Sequence, residues 1–465
     1  MDSKGLLHRS LFLMCAITLI AFGSFSFGFA PNQVIAIVAF FLSILGTVLF
    51  WQFRLSFAFF GGALILVSGV TTLENFIRLS SMDVIFFLIG MMIIVGFLRE
   101  IGLFNYLLQR TIIVKGLTAR KMTVGLIFSS ALMACVVDEV SSIVFMMMVI
   151  FEFCDYFEFD PVPFIIVSVM ATNIGSTGTV IGNPIGLLIA TKANLTFEHF
   201  LVFAFPLMFL TLFILCALVF LIFKKQLNEL DEKIQAFGSN DFLVSLLRVP
   251  PEKNIRIGFI IFIITILLIS FHHRIEVMLG LGVNTFLLMV PLMSSAFIMV
   301  WRRDRARHYV EHDVEWWSIL FFIFLFAEAG VISELGIAET VANSIFTIFE
   351  GSKAALIAPI VFITAIISSA LDNVVVVAGF IPVIQHLTEM LNVKHVLWWA
   401  FLFGACFGGN ITIIGSTANI IAIGAMEKRL KRAIGFREWL KIGVVVGIVT
   451  LLFVTIVLIF VPYYK

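Results

Sequence analysis

Charge is what this chain has least of. Only 13% of its 465 residues are Asp, Glu, Lys or Arg, against 61% hydrophobic residues, and the mean hydropathy is +1.13. A water-soluble fold of this size could not hide so much apolar surface, so the composition points to a polytopic helical protein embedded in the lipid bilayer. The net charge of +1, with no basic patch, argues against nucleic acid as a partner. Cysteine is also scarce: Cys15, Cys135, Cys154, Cys216 and Cys406 are scattered and form no CxxC pair, which favours small packing residues over ligands or disulfides. Histidine is missing from the centres of the apolar segments, which argues against a membrane-embedded Ser–His hydrolase and against a His-ligated metal. No cofactor and no metal are expected.

What the chain does have is a series of apolar runs, several of them interrupted. Residues 1–10 are polar and basic and lead into the run 11–29. Residues 1–33 read as an uncleaved first span with a cytoplasmic N-terminus, the alternative being a signal peptide. Spans follow at 34–51, 55–71 and 84–98, then a basic loop with Arg99, Arg110, Lys115, Arg120 and Lys121. Segment 123–150 is broken by VVDEVSS and 162–190 by NIGSTGTVIGNPIG, whereas 201–223 is uninterrupted. The polar stretch 224–256 reads as a cytoplasmic linker between a first repeat (34–223) and a second (257–465). The second half keeps the order, with spans at 257–271, 278–300 and 316–333, broken segments at 357–387 and 396–425, and a last span at 441–462.

The repeat is written in the residues. A shift of 234 brings Ile85, Phe87, Gly96, Glu100, Gly102 and Asp138 onto Ile319, Phe321, Gly330, Glu334, Gly336 and Asp372. A shift of 233 brings Gly175, Thr179 and Gly182 onto Gly408, Thr412 and Gly415. Loop charge then discriminates between two topologies. If the segments holding Asp138 and Asp372 are re-entrant hairpins, 24 of the 30 Lys and Arg residues lie inside and 6 outside; if both cross, the split is 17 to 13. The hairpin arrangement makes the halves inverted, with one hairpin entering from each side. Alternating-access transporters are built this way, with the site between the repeats near the midplane.

Polar residues at membrane depth are costly, about 2.5–3.5 kcal/mol for a charged one on insertion scales, and mark function. The breaks survive only where protein or a water-filled cavity receives their free backbone groups. Asp138, Glu139 and Asp372 sit at the hairpin tips, positions suited to exchanging a cation or proton, with Ser141, Ser142 and Asn373 beside them. Asn173, Thr177, Thr179, Asn183, Asn410, Thr412, Ser416, Thr417 and Asn419 line the breaks and supply neutral donors and acceptors. Alternatively, a Ser or Thr in a span bonds back to its own helix, and a glycine only permits close packing. Glu328, in LFAEAGV, is either a proton carrier or an acid near the outer interface.

On LDNVVVV (371–377), GGNITIIGSTAN (408–419) and the first-half echo TNIGSTGTVIGNP (172–184), the chain resembles the ion transporter superfamily across roughly 34–462. That group holds arsenite permeases, NhaD-type sodium/proton antiporters, the melanosomal P protein and citrate and dicarboxylate symporters. The resemblance implies a scaffold with a mobile transport domain, often in a homodimer. It implies a site drawn from Asp138, Ser141, Ser142, Asp372 and Asn373 at the tips and from Asn410, Ser416, Thr417 and Asn419 at the second break. Two departures stand out. The family's first tip usually reads Asp-Asn-x-Thr-Thr, here Asp138, Glu139, Val140, Ser141, Ser142; its first break usually reads Gly-Asp-Pro-Pro-Asn, here Gly182, Asn183, Pro184, Ile185, Gly186. An acid is gained at Glu139 where an amide replaces one at Asn183, as if a single cavity kept its carboxylate count.

The expected fold is thus all-α and polytopic, with inverted repeats, about eleven transmembrane helices, two re-entrant hairpins and two broken helices. The expected function is H⁺- or Na⁺-coupled transport of a small inorganic or organic ion in a bacterial inner membrane. The acidic tips lean towards an arsenite-permease or NhaD-like exchanger; a citrate or dicarboxylate symporter is the alternative. A Mg²⁺-dependent intramembrane transferase would cluster its aspartates at one face, and an ion channel would show no dependence on a second ion gradient.

Overall fold

The computed structural model describes residues 3–103, 106, 118–236, 253–349, 352–393, 395–431, 434–461 and 464. Arg110, Lys115 and the middle of the expected linker (237–252) lie outside the described residues. Among those described, all regular structure is helical. Eight helices are long and apolar enough to cross a membrane, or nine if the bent pair 254–270 and 272–279 is one span. The expected eleven spans include shorter pieces that fall below that length, such as Arg54–Val67 and the halves of the two broken helices.

The interruptions are where the sequence places them. The first hairpin is Ala119–Val136 and Glu139–Tyr156, turning at Val137-Asp138; its counterpart is Lys353–Ala370 and Asn373–Met390, turning at Leu371-Asp372. The first broken helix is Val162–Gly175 and Pro184–Ala193, the second Val396–Gly408 and Thr417–Leu430. Local chemistry sets these ends. Asp138, Asn183 and Ser416 each occupy an N-cap and accept from a backbone N–H of the first turn, while Pro184 at the first helical position has no N–H to leave unsatisfied. Small features were not anticipated. Lys224–Ala236, at the start of the linker, is a helix with Leu227, Leu230 and Ile234 buried, and Ile337–Ile348 is a further short helix. The expected span 278–300 begins only at Thr285, where buried Glu276 accepts from the N–H groups of Asn284, Phe286 and Leu287 and satisfies that helix start.

The described chain forms two compact units, each drawing segments from both halves of the sequence. The first comprises Met1–Ile89, Glu315–Leu356 and Val374–Lys394; the second comprises Gly90–Val314, Ile357–Asn373 and His395–Lys465. In the first, Pro31–Leu49, Arg54–Val67 and Trp316–Glu334 pack against one another over small residues including Ala36, Ala39, Ala58 and Gly61. Buried Arg54 donates to Ser318 Oγ at 2.7 Å and stacks over Trp51. Arg78 and Asn75 both donate to Glu334 at 2.6 Å. The second unit holds both broken helices, the first hairpin and the tip of the second.

Repeat-related residues make repeat-related contacts. Asn75 Nδ2 donates to Glu334 Oε2, and Tyr309 Oη, 234 positions on, donates to Glu100 Oε2 at 2.5 Å. A Cβ on Gly330 would meet Leu79, and one on Gly96 would meet Asp313. A Cβ on Gly175 would collide with the backbone of Ala131, and one on Gly408 with the backbone of Ala365. Backbone cannot swing aside, so each glycine is required for a hairpin arm to lie against its broken helix. Gly175→Ala and Gly408→Ala are therefore expected to lower stability by about 1–3 kcal/mol each through overpacking. Gly424→Ala, where a Cβ meets nothing within 4 Å, should be neutral or mildly stabilising. Thermal unfolding in detergent distinguishes the three.

Candidate functional site

Fifteen of the sixteen residues expected at the site lie in the second unit, and Glu328 lies in the first. The tips come first. Asp138 Oδ1 accepts from Ser141 N at 2.7 Å, so Ser141 contributes its backbone there. Ser142 Oγ donates to Ser130 O at 3.0 Å and ties the two arms of the hairpin together. Asp372 Oδ2 accepts from Thr417 Oγ1 at 2.6 Å, joining the second tip to the half-helix after the second break. Glu139 is 2% exposed, lies against Asn373 and is within electrostatic reach of both Asp138 and Asp372; its Oε2 has no hydrogen-bond partner. The two tips therefore bring Glu139 within electrostatic reach of Asp138 and Asp372, which the sequence placed in one frame but not in one place.

The breaks form a single polar knot. Asn173 Nδ2 donates to Asn410 Oδ1 at 2.9 Å and to Asn419 Oδ1 at 3.0 Å, and Asn173 Oδ1 accepts from Ser416 Oγ at 3.0 Å. Asn183 Nδ2 donates to Ser176 Oγ at 2.8 Å and to Cys406 Sγ at 3.4 Å. A shift of 233 turns Asn183 into Ser416 and Asn173 into Cys406. The pairs Ser416–Asn173 and Asn183–Cys406 are thus two copies of one cross-break contact. Four of the buried side chains (Asn173, Asn410, Ser416, Asn419) have no exposure at all, so each hydrogen bond replaces one that water cannot supply.

Several expected residues turn out to serve the backbone. Thr179 Oγ1 donates to Cys135 O, and Thr412 Oγ1 donates to Ser369 O, the same bond in both repeats. Thr177 Oγ1 returns to Ile174 O at 2.7 Å. Asn410 keeps Nδ2 unpaired while its carbonyl accepts from Trp439 Nε1 at 3.1 Å. Two participants were missed from sequence. Cys406 reads from the sequence as packing, although extending the shift of 233 by two positions pairs it with Asn173. Trp439 carries no local signal. Glu328 is fully buried among Pro31–Leu49, Arg54–Val67 and its own helix, with Oε1 accepting from Ser43 Oγ at 3.0 Å and the carboxylate facing the backbone N–H of Gly62.

A family model described as citrate transporter matches residues 48–348 and 329–464. A transporter of Mycobacterium tuberculosis is 28% identical over 376 residues, covering 79% of this chain and 83% of that protein. The human P protein is 24% identical over 449 residues, covering 82% of this chain and 54% of that longer protein. Among solved structures, the YdaH transporter of Alcanivorax borkumensis aligns with a TM-score of 0.54 at 13% identity, covering 83% of this chain and 86% of that one, a likeness of fold alone. With both repeats inside the matched span and the broken helices and hairpins in place, the chain belongs to the citrate transporter family and is a membrane transporter, not an enzyme.

Proposed function

We propose that the protein is a secondary active transporter, driven by H⁺ or Na⁺, that moves a small anion by alternating access with its site between the inverted repeats. The observation that carries this reading is buried Glu139, within electrostatic reach of Asp138 and Asp372 at the two hairpin tips. Like charges gathered at membrane depth are costly unless a cation accompanies them, and a coupling H⁺ or Na⁺ is such a cation. Its uptake offsets the charge an anion would bring, which is the physical content of coupling. The knot of Asn173, Asn410, Ser416 and Asn419 holds the adjoining breaks in shape. The citrate transporter match favours citrate or a related polycarboxylate as the anion; an arsenite-permease or NhaD-like exchanger is the second reading, favoured by the acidic tips. A bacterial inner membrane, a cytoplasmic N-terminus and a homodimer complete the proposal.

Flux into proteoliposomes of citrate, succinate, arsenite, chloride and Na⁺ under imposed pH and Na⁺ gradients tests it. Uptake of one substrate that follows one gradient is expected; uptake indifferent to both would sink the coupled reading. Asp138→Asn and Asp372→Asn should each cut gradient-driven uptake about tenfold or more, the loss of roughly 1.4 kcal/mol or more expected when a charge-bearing group at a hairpin tip is removed. The exchange of acid and amide at Glu139 and Asn183 gives a paired test. Both side chains approach Cys406, so Glu139→Asn should lose uptake and the added Asn183→Asp should restore part of it. No restoration would make the exchange a coincidence. Glu328→Gln keeps shape and the Ser43 bond but binds no proton. Uptake driven by a pH gradient should fall while substrate counterflow persists; unchanged pH-driven uptake would assign Glu328 to packing.

A further inference from the structure

The helix that follows the first broken helix starts on an unusual cap. Thr196 Oγ1 accepts from His199 N at 3.3 Å, and Thr196 N donates to His199 Nδ1 at 2.9 Å. This is a capping box, whose third helical residue is ordinarily Glu or Gln because that side chain must accept from the N-cap N–H. Here an imidazole takes the part. A shift of 239 carries Thr196, His199 and Phe200 onto Gly435, Glu438 and Trp439 at the start of the last span. The first repeat thus holds a histidine where the second holds the usual acid.

What this cap positions lies against both broken helices. Phe200 is fully buried, and its ring reaches within 3.5 Å of the point a Cβ on Gly186 would occupy. It also meets Trp399 edge-on, with ring centres 5.0 Å apart, and Phe203 stacks on the same indole at 6.0 Å. Gly186 belongs to the half-helix after the first break and Trp399 to the half-helix before the second. Trp439, the counterpart of Phe200, likewise serves a break, donating to Asn410 O. The turn Phe200–Ala204 is π-helical, a winding found often at functional sites.

An imidazole nitrogen accepts a hydrogen bond only while it carries no proton. Protonated His199 would present Nδ1–H to Thr196 N–H, donor against donor. Thr196 Oγ1 lies 3.0 Å from Nδ1 and can rotate to accept, but the backbone N–H is fixed and loses its acceptor. We propose that His199 is an acid-sensitive switch: its protonation opens the Thr196 capping box, frees the first turn of Phe197–Ile222 and loosens Phe200 against the two broken helices. Protons reach the ring through an open cavity of about 560 Å³ whose lining includes Glu198, His199, His272 and His273. Glu198 and His273 lie within electrostatic reach of His199, Arg274 pairs with Glu198 at 2.9 Å, and the His395 ring centre is 5.2 Å away. The contribution of the cap is complete above the ordinary histidine range, about pH 6.5, and is lost as pH falls below it. The inference goes beyond the coupled-transporter reading, and its test needs no substrate, so the two can fail separately.

The test is hydrogen exchange at the backbone amides of residues 196–204 in the purified full chain, wild type against His199→Gln at the same pH. Glutamine keeps an acceptor oxygen at every pH. The two chains should exchange alike at about pH 8, and the wild type about fivefold faster at about pH 5.5, which is what a lost cap is worth. His199→Ala, with no acceptor, should exchange fast at both. His199→Glu carries the residue type of the counterpart Glu438 and provides the reading if the glutamine variant does not fold. His273→Gln and His395→Gln should keep the wild-type response. An acid response equal in the wild type and the glutamine variant, or one abolished by His273→Gln or His395→Gln, would overturn the switch. Failure of both acceptor variants to fold would overturn it too, because the cap asks only for an acceptor.

Discussion

Everything in the second unit answers one constraint: backbone N–H and C=O groups set free at membrane depth must find partners inside the protein. Two helices are opened in mid-course, and the freed groups are met by hydroxyl and amide side chains rather than by water. Thr179 and Thr412 reach the last carbonyls of the neighbouring hairpin arms, Asn419 spans the second break, and Trp439 takes the carbonyl of Asn410. The polar residues that make these segments poor spans are the ones that make their irregular backbone tolerable. Removing the glycines would undo the arrangement as surely, because Gly175 and Gly408 let backbone approach backbone.

The same contacts explain how two repeats become one site. Ser416 donates to Asn173 and Asn183 donates to Cys406, so each half-helix start grips the end of the other repeat's first half-helix. The geometry is two-fold and the chemistry is not. One side centres on the asparagine Asn173, with three polar neighbours; the other centres on a thiol, Cys406, with Glu139 and Asn183 nearby. Duplication supplied the frame, and divergence within it separates an amide cluster from an acidic one.

Much of this was legible in the chain. The run VVDEVSS and the Gly- and Asn-rich stretches at 173–186 and 408–419 announce themselves, because an acid or a cluster of glycines inside an apolar run has no cheap explanation in lipid. The roles of individual hydroxyls were not legible. Thr177 returns to Ile174 O and Thr412 crosses to Ser369 O, yet both are threonines among glycines in the sequence. Cys406 looks like a packing residue in the sequence, since buried thiols commonly are, and only its position opposite Asn183 gives it another part.

The sequence by itself determined the class, the breaks and the repeat frame, since composition, the spacing of polar lesions and matched residues 233 or 234 positions apart are properties of the chain. Only the tertiary structure decided what those residues do to one another. Hydrogen bonds such as Asn173–Asn410 and Thr417–Asp372 join positions far apart in the chain, and no local pattern encodes a partner that distant. The difference between Asn419 and Gly186 shows the point most plainly. One letter in a repeat alignment is minor until the fold shows that the Asn419 amide lies between Gly409 O and Thr412 O, where Gly186 offers no such donor.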